Sequence, residues 1–375
     1  MRKIIIILMN IIAVLSCSSP EKSRPPDSSD LSYAKGFEIR DYTTYREIIV
    51  KNPWQKSQGE KFSYILTSNP ALIPDSLSDH MIIKTPVNQV VVFSTTHVGF
   101  IGALGRGSSV TGVSGKDFIS DTTVRTSIEN GKCTDVGFAP NIDYERILQM
   151  HPDIVFLYGL DPSVTGLVNR LRDSGIQSVM VSEFLEAHPL GKAEWIRFFS
   201  AFYDCESLGD SIFKSVLGNY TMLRDSIKKC SGKPSVLVGL PWKDTWYMSG
   251  GRSFTSRFIE DAGANYLWTE NNSSDYIPLD LESVFQKAAT ADVWINTGSA
   301  ETKSDIILID PRLQYIPAFQ NGNIYNNNLR MNSSGGNDFW ESGAVRPDLI
   351  LRDLICIFHP GKSDDNEFYF YKKLK

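Results

Sequence analysis

The chain has 375 residues, 43 of them acidic and 38 basic, for a formal net charge of −5. It contains no basic stripe, so nucleic acid is not an expected partner. Its length exceeds what a single hydrophobic core normally serves, so two domains are expected, and the spacing of its five cysteines fits no structural zinc site.

Residues 1–16 read as a secretory leader: Arg2 and Lys3, an apolar run from Ile4 to Leu15 broken at Asn10, then Ser16. That run is too short to span a bilayer. Val14-Leu15-Ser16-Cys17 resembles the bacterial lipobox, which makes Cys17 the expected acylated N-terminus and a lipid anchor in the membrane. Residues 17–30 form a Ser/Pro/charged tether with nothing to bury.

Residues 31–88 have a β pattern, with strands at Phe37–Arg40, Phe62–Leu66 and into Val87–Phe93. Residues 89–185 alternate strand and helix: Gln89–Phe93, His97–Gly105, the helix after Asp143, Asp153–Tyr158, Ser163–Asp173 and Ser178–Val181. Such alternation indicates a parallel sheet with crossover helices. Residues 186–230 carry no strand signal. Ile212, Val216, Tyr220, Leu223 and Ile227 lie on one helical face, and a break is expected near Asp204. A continuous helix between Cys205 and Cys230 would hold them on the order of 35 Å apart, too far to bridge; pairing among Cys133, Cys205, Cys230 and Cys356 is otherwise open. Residues 231–360 repeat the α/β pattern, with strands at Val236–Gly239, Thr245–Ser249, Val293–Asn296 and Asn323–Asn326 and helices at Phe254–Ala262 and Pro347–Phe358. Residues 361–375 read as a tail.

One phrase recurs in both halves. Asp143-Tyr144-Glu145 opens a helix that leads to the strand from Asp153, and Asp280-Leu281-Glu282 opens one that leads to the strand from Asp292. A repeat at this spacing indicates two similar lobes, each with one acid in the first turn of an equivalent helix.

Phe93-Ser94-Thr95-Thr96, Leu104-Gly105, Gly112-Val113-Ser114, Asp143 to Ile147, Pro152 to Val155 and Gly175-Ile176 occur in the first half, and Met248 to Gly251, Ala262 to Ala264, Leu281 to Val284 and Ala291 to Val293 in the second. In this order, over about Gln89 to His359, they resemble the substrate-binding proteins of ABC importers for vitamin B12, haem and ferric siderophores. Residues 31–88 resemble the N-terminal strands of the Bacteroidota branch. The resemblance implies an α/β, class III periplasmic-binding-protein fold: two Rossmann-like lobes joined by a long helix. It also implies a periplasmic, lipid-anchored monomer that is not an enzyme, has no cofactor of its own, and delivers an iron- or cobalt-containing chelate to an inner-membrane permease. In such proteins one exposed Glu per lobe docks onto permease arginines, a role that falls by motif position on Glu145 and Glu282. Helix capping alone also accounts for an acid in the first turn, at ~0.3–1 kcal/mol.

Ligand contacts are expected where loops leave the carboxyl ends of strands. That rule selects Thr95, Thr96, His97, Phe138 and Tyr158 in the first lobe, and Trp242, Trp246, Tyr247, Arg252, Tyr276, Arg330 and Trp340 in the second. Rings give flat contact at low entropy cost and arginines pair with anionic groups, although some of the rings are expected in the core. His97 is a candidate axial ligand to a transported metal; no metal site of the protein's own is expected. Asn337 to Glu341 has no role assignable from sequence. No HExxH, G-x-S-x-G or P-loop occurs. The alternatives are a surface lipoprotein that binds glycan or protein, and a periplasmic hydrolase or chelatase using His97 with Glu341.

Overall fold

The computed structural model describes residues 27–28, 31–138, 141–230, 232–361 and 367–375. The leader, Cys17 and nearly all of the expected tether lie outside the described residues.

In the first lobe, Val90–Val92 is the central strand of a five-stranded parallel sheet. Val110–Val113 then Thr134–Asp135 lie to one side of it, and Ile154–Leu157 then Ser178–Met180 to the other. Val90 to Val92 and Ile154 to Leu157 are fully buried, as strands covered on both faces must be. The second lobe places Ser235–Val238 between Asn265–Tyr266 and Val293–Ile295, with Ile324–Asn326 beyond, all parallel. Each lobe therefore reverses strand order beside its first strand, where α/β sheets open a crevice. The first helix of each lobe starts at that crevice. Thr95–Ala103 is capped by Ser94, and Phe254–Asp261 by Ser253. Gly105 (φ +68) and Gly263 (φ +77) end them in the left-handed region that a residue with Cβ disfavours.

Two expectations need correction. Residues 361–375 are not a detached tail, because Lys372–Lys373 adds an antiparallel strand beside Ile324–Asn326. Buried Asp353 anchors it by accepting the backbone N–H groups of Tyr369, Phe370 and Tyr371. Thr245–Ser249 is a strand but lies outside the main sheet, in an antiparallel ribbon with Tyr276–Asp280. Pro278 hides that second strand from a pattern reading; a two-stranded ribbon is all edge and tolerates it.

The lobes are joined by a helical hairpin, Pro189–Phe202 and Glu206–Ser226, broken at Asp204 in the left-handed region (φ +49). Arg197 Nε reaches Asp210 (2.7 Å), and a Cβ on Gly209 would lie 2.5 Å from Ser200 Oγ, so close crossing requires glycine there. Trp195, Phe198, Phe199 and Phe202 give the first helix of the pair a broad apolar face, and nearly the whole helix is buried. A sheet of Asp27–Ser28, Phe37–Asp41, Arg46–Lys51, Lys61–Thr67 and Met81–Lys84 packs beside it. Glu186 accepts the N–H groups of Lys35 and Gly36, Glu194 those of Ser32, Tyr33 and Ala34, and Phe37 packs tilted against Trp195 with ring centres 4.7 Å apart. Cys133, Cys205, Cys230 and Cys356 form no disulfide with one another.

The lobes also touch directly. A Cβ on Gly99, in the first lobe, would lie 2.3 Å from the backbone oxygen of Glu341 in the second. Gly99→Ala will therefore force the seam apart and cost about 1–3 kcal/mol in urea unfolding. Gly166→Ala, on the exposed helix Val164–Asp173 with nothing within 4 Å, will be neutral or slightly stabilising.

Candidate functional site

Between the carboxyl ends of the two sheets lies a cleft of two adjoining chambers, about 610 Å³ and 420 Å³. The larger takes Phe93, Ser94, Thr95 and Tyr158 from the first lobe and Gly239, Asn296, Asn327 and Asn328 from the second. Tyr158, Tyr276 and Trp340 wall both chambers, while Phe118 and Phe138 close one side of the larger. These rings are unusually open for their size: Phe138 is 51% exposed, Tyr158 42%, Tyr276 64% and Trp340 46%. Hydroxyls and carboxamides ring them, and among the described residues no charged side chain lines the larger chamber.

The structure brings Thr96, Phe138, Tyr158, Tyr276 and Trp340 to this cleft, together with Thr95. Thr96 is buried in the smaller chamber and donates to Glu183 Oε1 (2.7 Å). Other residues selected from sequence lie elsewhere. His97 is fully buried against Phe156 and Phe199, and burial pushes its pKa down to about 4. It is a neutral core ring that does not line the cleft and is not an axial ligand there. Trp246 is also core; its indole N–H donates to Val238 O (3.0 Å). Strand alternation turns Tyr247 to the opposite face, exposed and off the cleft. Trp242 is 63% exposed beside Lys243, away from both chambers. Arg252 holds Asn272 on the surface, and Arg330 pairs with Asp338 (2.6 Å) and lies over Tyr369.

The rule that selected Thr95 also identifies Asn296, at the carboxyl end of Val293–Ile295, which the sequence reading passed over. It sits in the left-handed region (φ +57), its Oδ1 accepting from Tyr371 (2.8 Å). Lys192 and Glu183 of the smaller chamber carry no sequence signal, since both lie in stretches that read as helix or connection.

Asn337 to Glu341 acquires a role in the structure. Asn337 Nδ2 holds Asn327 O, Trp340 faces the cleft, and Glu341 crosses to the first lobe to accept the N–H groups of Ser120 (2.8 Å) and Asp121 (2.5 Å). Asn332 adds a bond to Asp117 O (3.0 Å). Burial pushes the Glu341 carboxyl up to about 8, against the pull of those two N–H donors. With His97 packed in the core and Glu341 clamped to backbone, the pair required by a hydrolase or chelatase is not assembled.

Glu145 and Glu282 are both exposed at the second position of their helices, capped by Asp143 and Asp280. Glu282 pairs with Arg312 (3.2 Å), whereas Glu145 makes no ion pair with a described residue. Neither lines the cleft.

Comparison with known proteins places this geometry. The periplasmic binding protein family model matches residues 90–327, starting at the first strand of the first lobe. An uncharacterized lipoprotein of Methanocaldococcus jannaschii is 26% identical over 372 residues, covering 92% of this chain and 85% of its own. A periplasmic heme binding protein from Pseudomonas aeruginosa superposes with a TM-score of 0.58 at 16% identity, over 77% of this chain and 98% of that one. An ABC-type Fe3+-hydroxamate transport system structure from Saccharomonospora viridis does so at 0.56 and 16%, over 73% and 94%. At such identities the solved structures establish a shared fold. The chain belongs to the periplasmic binding protein family and has the two-lobed class III fold.

Proposed function

We propose that this protein captures an iron chelate, either siderophore or haem, or a corrinoid in the interlobe cleft and delivers it unaltered to an inner-membrane permease. In this reading it is a monomer held to the membrane through acylated Cys17, with Glu145 and Glu282 as docking points. The observation that carries it is the open ring wall of Phe138, Tyr158, Tyr276 and Trp340 around two adjoining chambers. Apolar rings are costly to leave wet, and they match the flat or bulky body of a metal macrocycle or chelate at low entropy cost. Structural relatives named for heme and for Fe3+-hydroxamate support the ligand class.

A visible absorption spectrum of protein purified from its own host tests the ligand directly, since each of the three chelate classes absorbs distinctively. Titration of the purified protein with haemin, ferric hydroxamates and cyanocobalamin, followed by tryptophan fluorescence, will show quenching centred on Trp340. Trp340→Ala will weaken binding by about tenfold or more, roughly 1.4 kcal/mol. Quenching by oligosaccharides and by none of the chelates would instead assign the asparagine- and ring-lined cleft to a sugar.

A further inference from the structure

Lys192 lies in the smaller chamber, on the buried helix Pro189–Phe202, with only 8% of its surface exposed. Its ammonium makes no hydrogen bond or ion pair with any described residue; its contact is with the Phe254 ring, whose centre lies 5.2 Å from Nζ. This is anomalous for the molecule. Each buried carboxylate accepts at least one hydrogen bond, as Glu194 does from three backbone N–H groups and Asp261 does from Tyr220. A charge on so enclosed a side chain, met by the protein with a ring alone, is costly unless something in the chamber it opens on satisfies it. Burial lowers the pKa of Lys192, and the field of Glu183 opposes that shift without contact. Glu183 is held back by Thr96, and its Oε2 is also buried with no partner among the described residues.

A second feature converges on the ammonium. Phe254, over which Lys192 sits, is the first residue of the eight-residue helix Phe254–Asp261, and Ser253 and Thr255 at its start line the same chamber. The open N–H groups of a helix start favour an anion. Lysine and helix start therefore face one small volume from two elements, one on the interlobe hairpin and one on the second lobe.

We propose that the smaller chamber is an anion subsite, in which Lys192 and the start of helix Phe254–Asp261 together hold a carboxylate or phosphate carried by the transported molecule. The subsite deepens the reading of the cleft as a chelate site and, in its role in transport, rests on it. An anion here would satisfy the one cation among the described residues lining the chamber. Of the acids there, Glu183 is engaged by Thr96 and Glu186 by Lys35, Gly36 and Trp195, and a third, Asp275, also lines the chamber. The body of the ligand lies against the shared wall of Tyr158, Tyr276 and Trp340.

The test uses the full mature protein and two variants, Lys192→Met and Lys192→Gln, which remove a buried unpaired charge and so are expected to melt no lower than the native chain. Metal-free citrate and inorganic phosphate are titrated by calorimetry. The native protein will bind at least one of them, and both variants will bind it at least tenfold more weakly. Preference for citrate assigns the source as a carboxylate, and preference for phosphate as a phosphate ester. Equal affinity in native and variant proteins, or no anion binding by the native protein, overturns the subsite. In a parallel titration, haemin will lose at least tenfold on Lys192→Met, while haemin dimethyl ester, with no free carboxylate, will bind both proteins alike. Anion binding that depends on Lys192, with no chelate bound at all, keeps the subsite and sinks the chelate reading. Chelates bound with Lys192 irrelevant to both anions and haemin do the reverse.

Discussion

A chain carrying Glu145→Ala and Glu282→Ala together will bind its ligand as tightly as the native protein and lose uptake by about 100-fold or more, because truncating a carboxylate that meets an arginine across an interface costs 2–5 kcal/mol or more. Both acids stand on the surface outside the cleft, so affinity has no reason to change. As members of a first helical turn each is worth only ~0.3–1 kcal/mol to the fold, too little to unfold the protein. The two sites differ in one respect. Glu282 is paired with Arg312, which Asp310 also holds, whereas Glu145 makes no ion pair with a described residue. An exposed pair of that kind is worth little and is easily exchanged for a permease arginine. Arg312→Ala will therefore leave uptake intact, while either glutamate variant alone lowers it. Uptake of radiolabelled ferric chelate by intact cells, measured beside calorimetry on the purified protein, separates these outcomes. Unchanged transport in the double variant, or a fall in affinity to match, removes the docking role.

Much of the architecture was readable from periodicity. Gln89 to Phe93 and Asp153 to Tyr158 are apolar runs of strand length with glycine- or serine-marked ends, and they form the centre of the first sheet. Pro347–Phe358 begins at a proline suited to a first helical turn and matches its expected span. The break near Asp204 was also visible, where the apolar stripe changes phase. Elements with weak local signals were lost. Thr122–Glu129 has a single buried side chain, Val124, and Tyr276–Asp280 contains a proline. The site was less legible for a physical reason. Sequence locates the ends of strands but not which way each loop turns, so Trp246 and Tyr247, one residue apart, were both assigned to a ligand that neither faces. Lys192 was invisible because its importance lies in what it lacks, and an absent partner is a property of packing. Glu341 was noticed only as a possible partner of His97, because its bond to the first lobe exists only once the lobes are brought together.

That last residue sets the second large effect. Raising the pH from 5 to 8 will destabilise the native protein through Glu341, and Glu341→Gln will remove that part of the slope. An unfolded glutamate titrates near ~4.3, whereas burial holds this one up at about 8. Between those values the folded state keeps a proton that the unfolded chain has released, so stability falls as pH rises. The contribution is complete below the unfolded value and gone above the folded one. Its full span is on the order of 5 kcal/mol, at ~1.4 kcal/mol per unit of pKa. The N–H groups of Ser120 and Asp121 favour the ionised form and burial the neutral one; burial prevails, helped by the nearby carboxylates of Asp338 and Asp121. Glu341→Gln keeps one acceptor but turns an amide NH2 toward the other N–H, which costs about 1–3 kcal/mol at every pH. Urea unfolding at pH 5, 6, 7 and 8 will thus give a lower but flatter line for the variant, and parallel lines would show that the clamp does not titrate. Because Trp340, the preceding residue, walls both chambers, a clamp that loosens as its carboxyl ionises also frees one wall of the cleft. Ligand affinity will accordingly fall with rising pH in the native protein and change less in the variant.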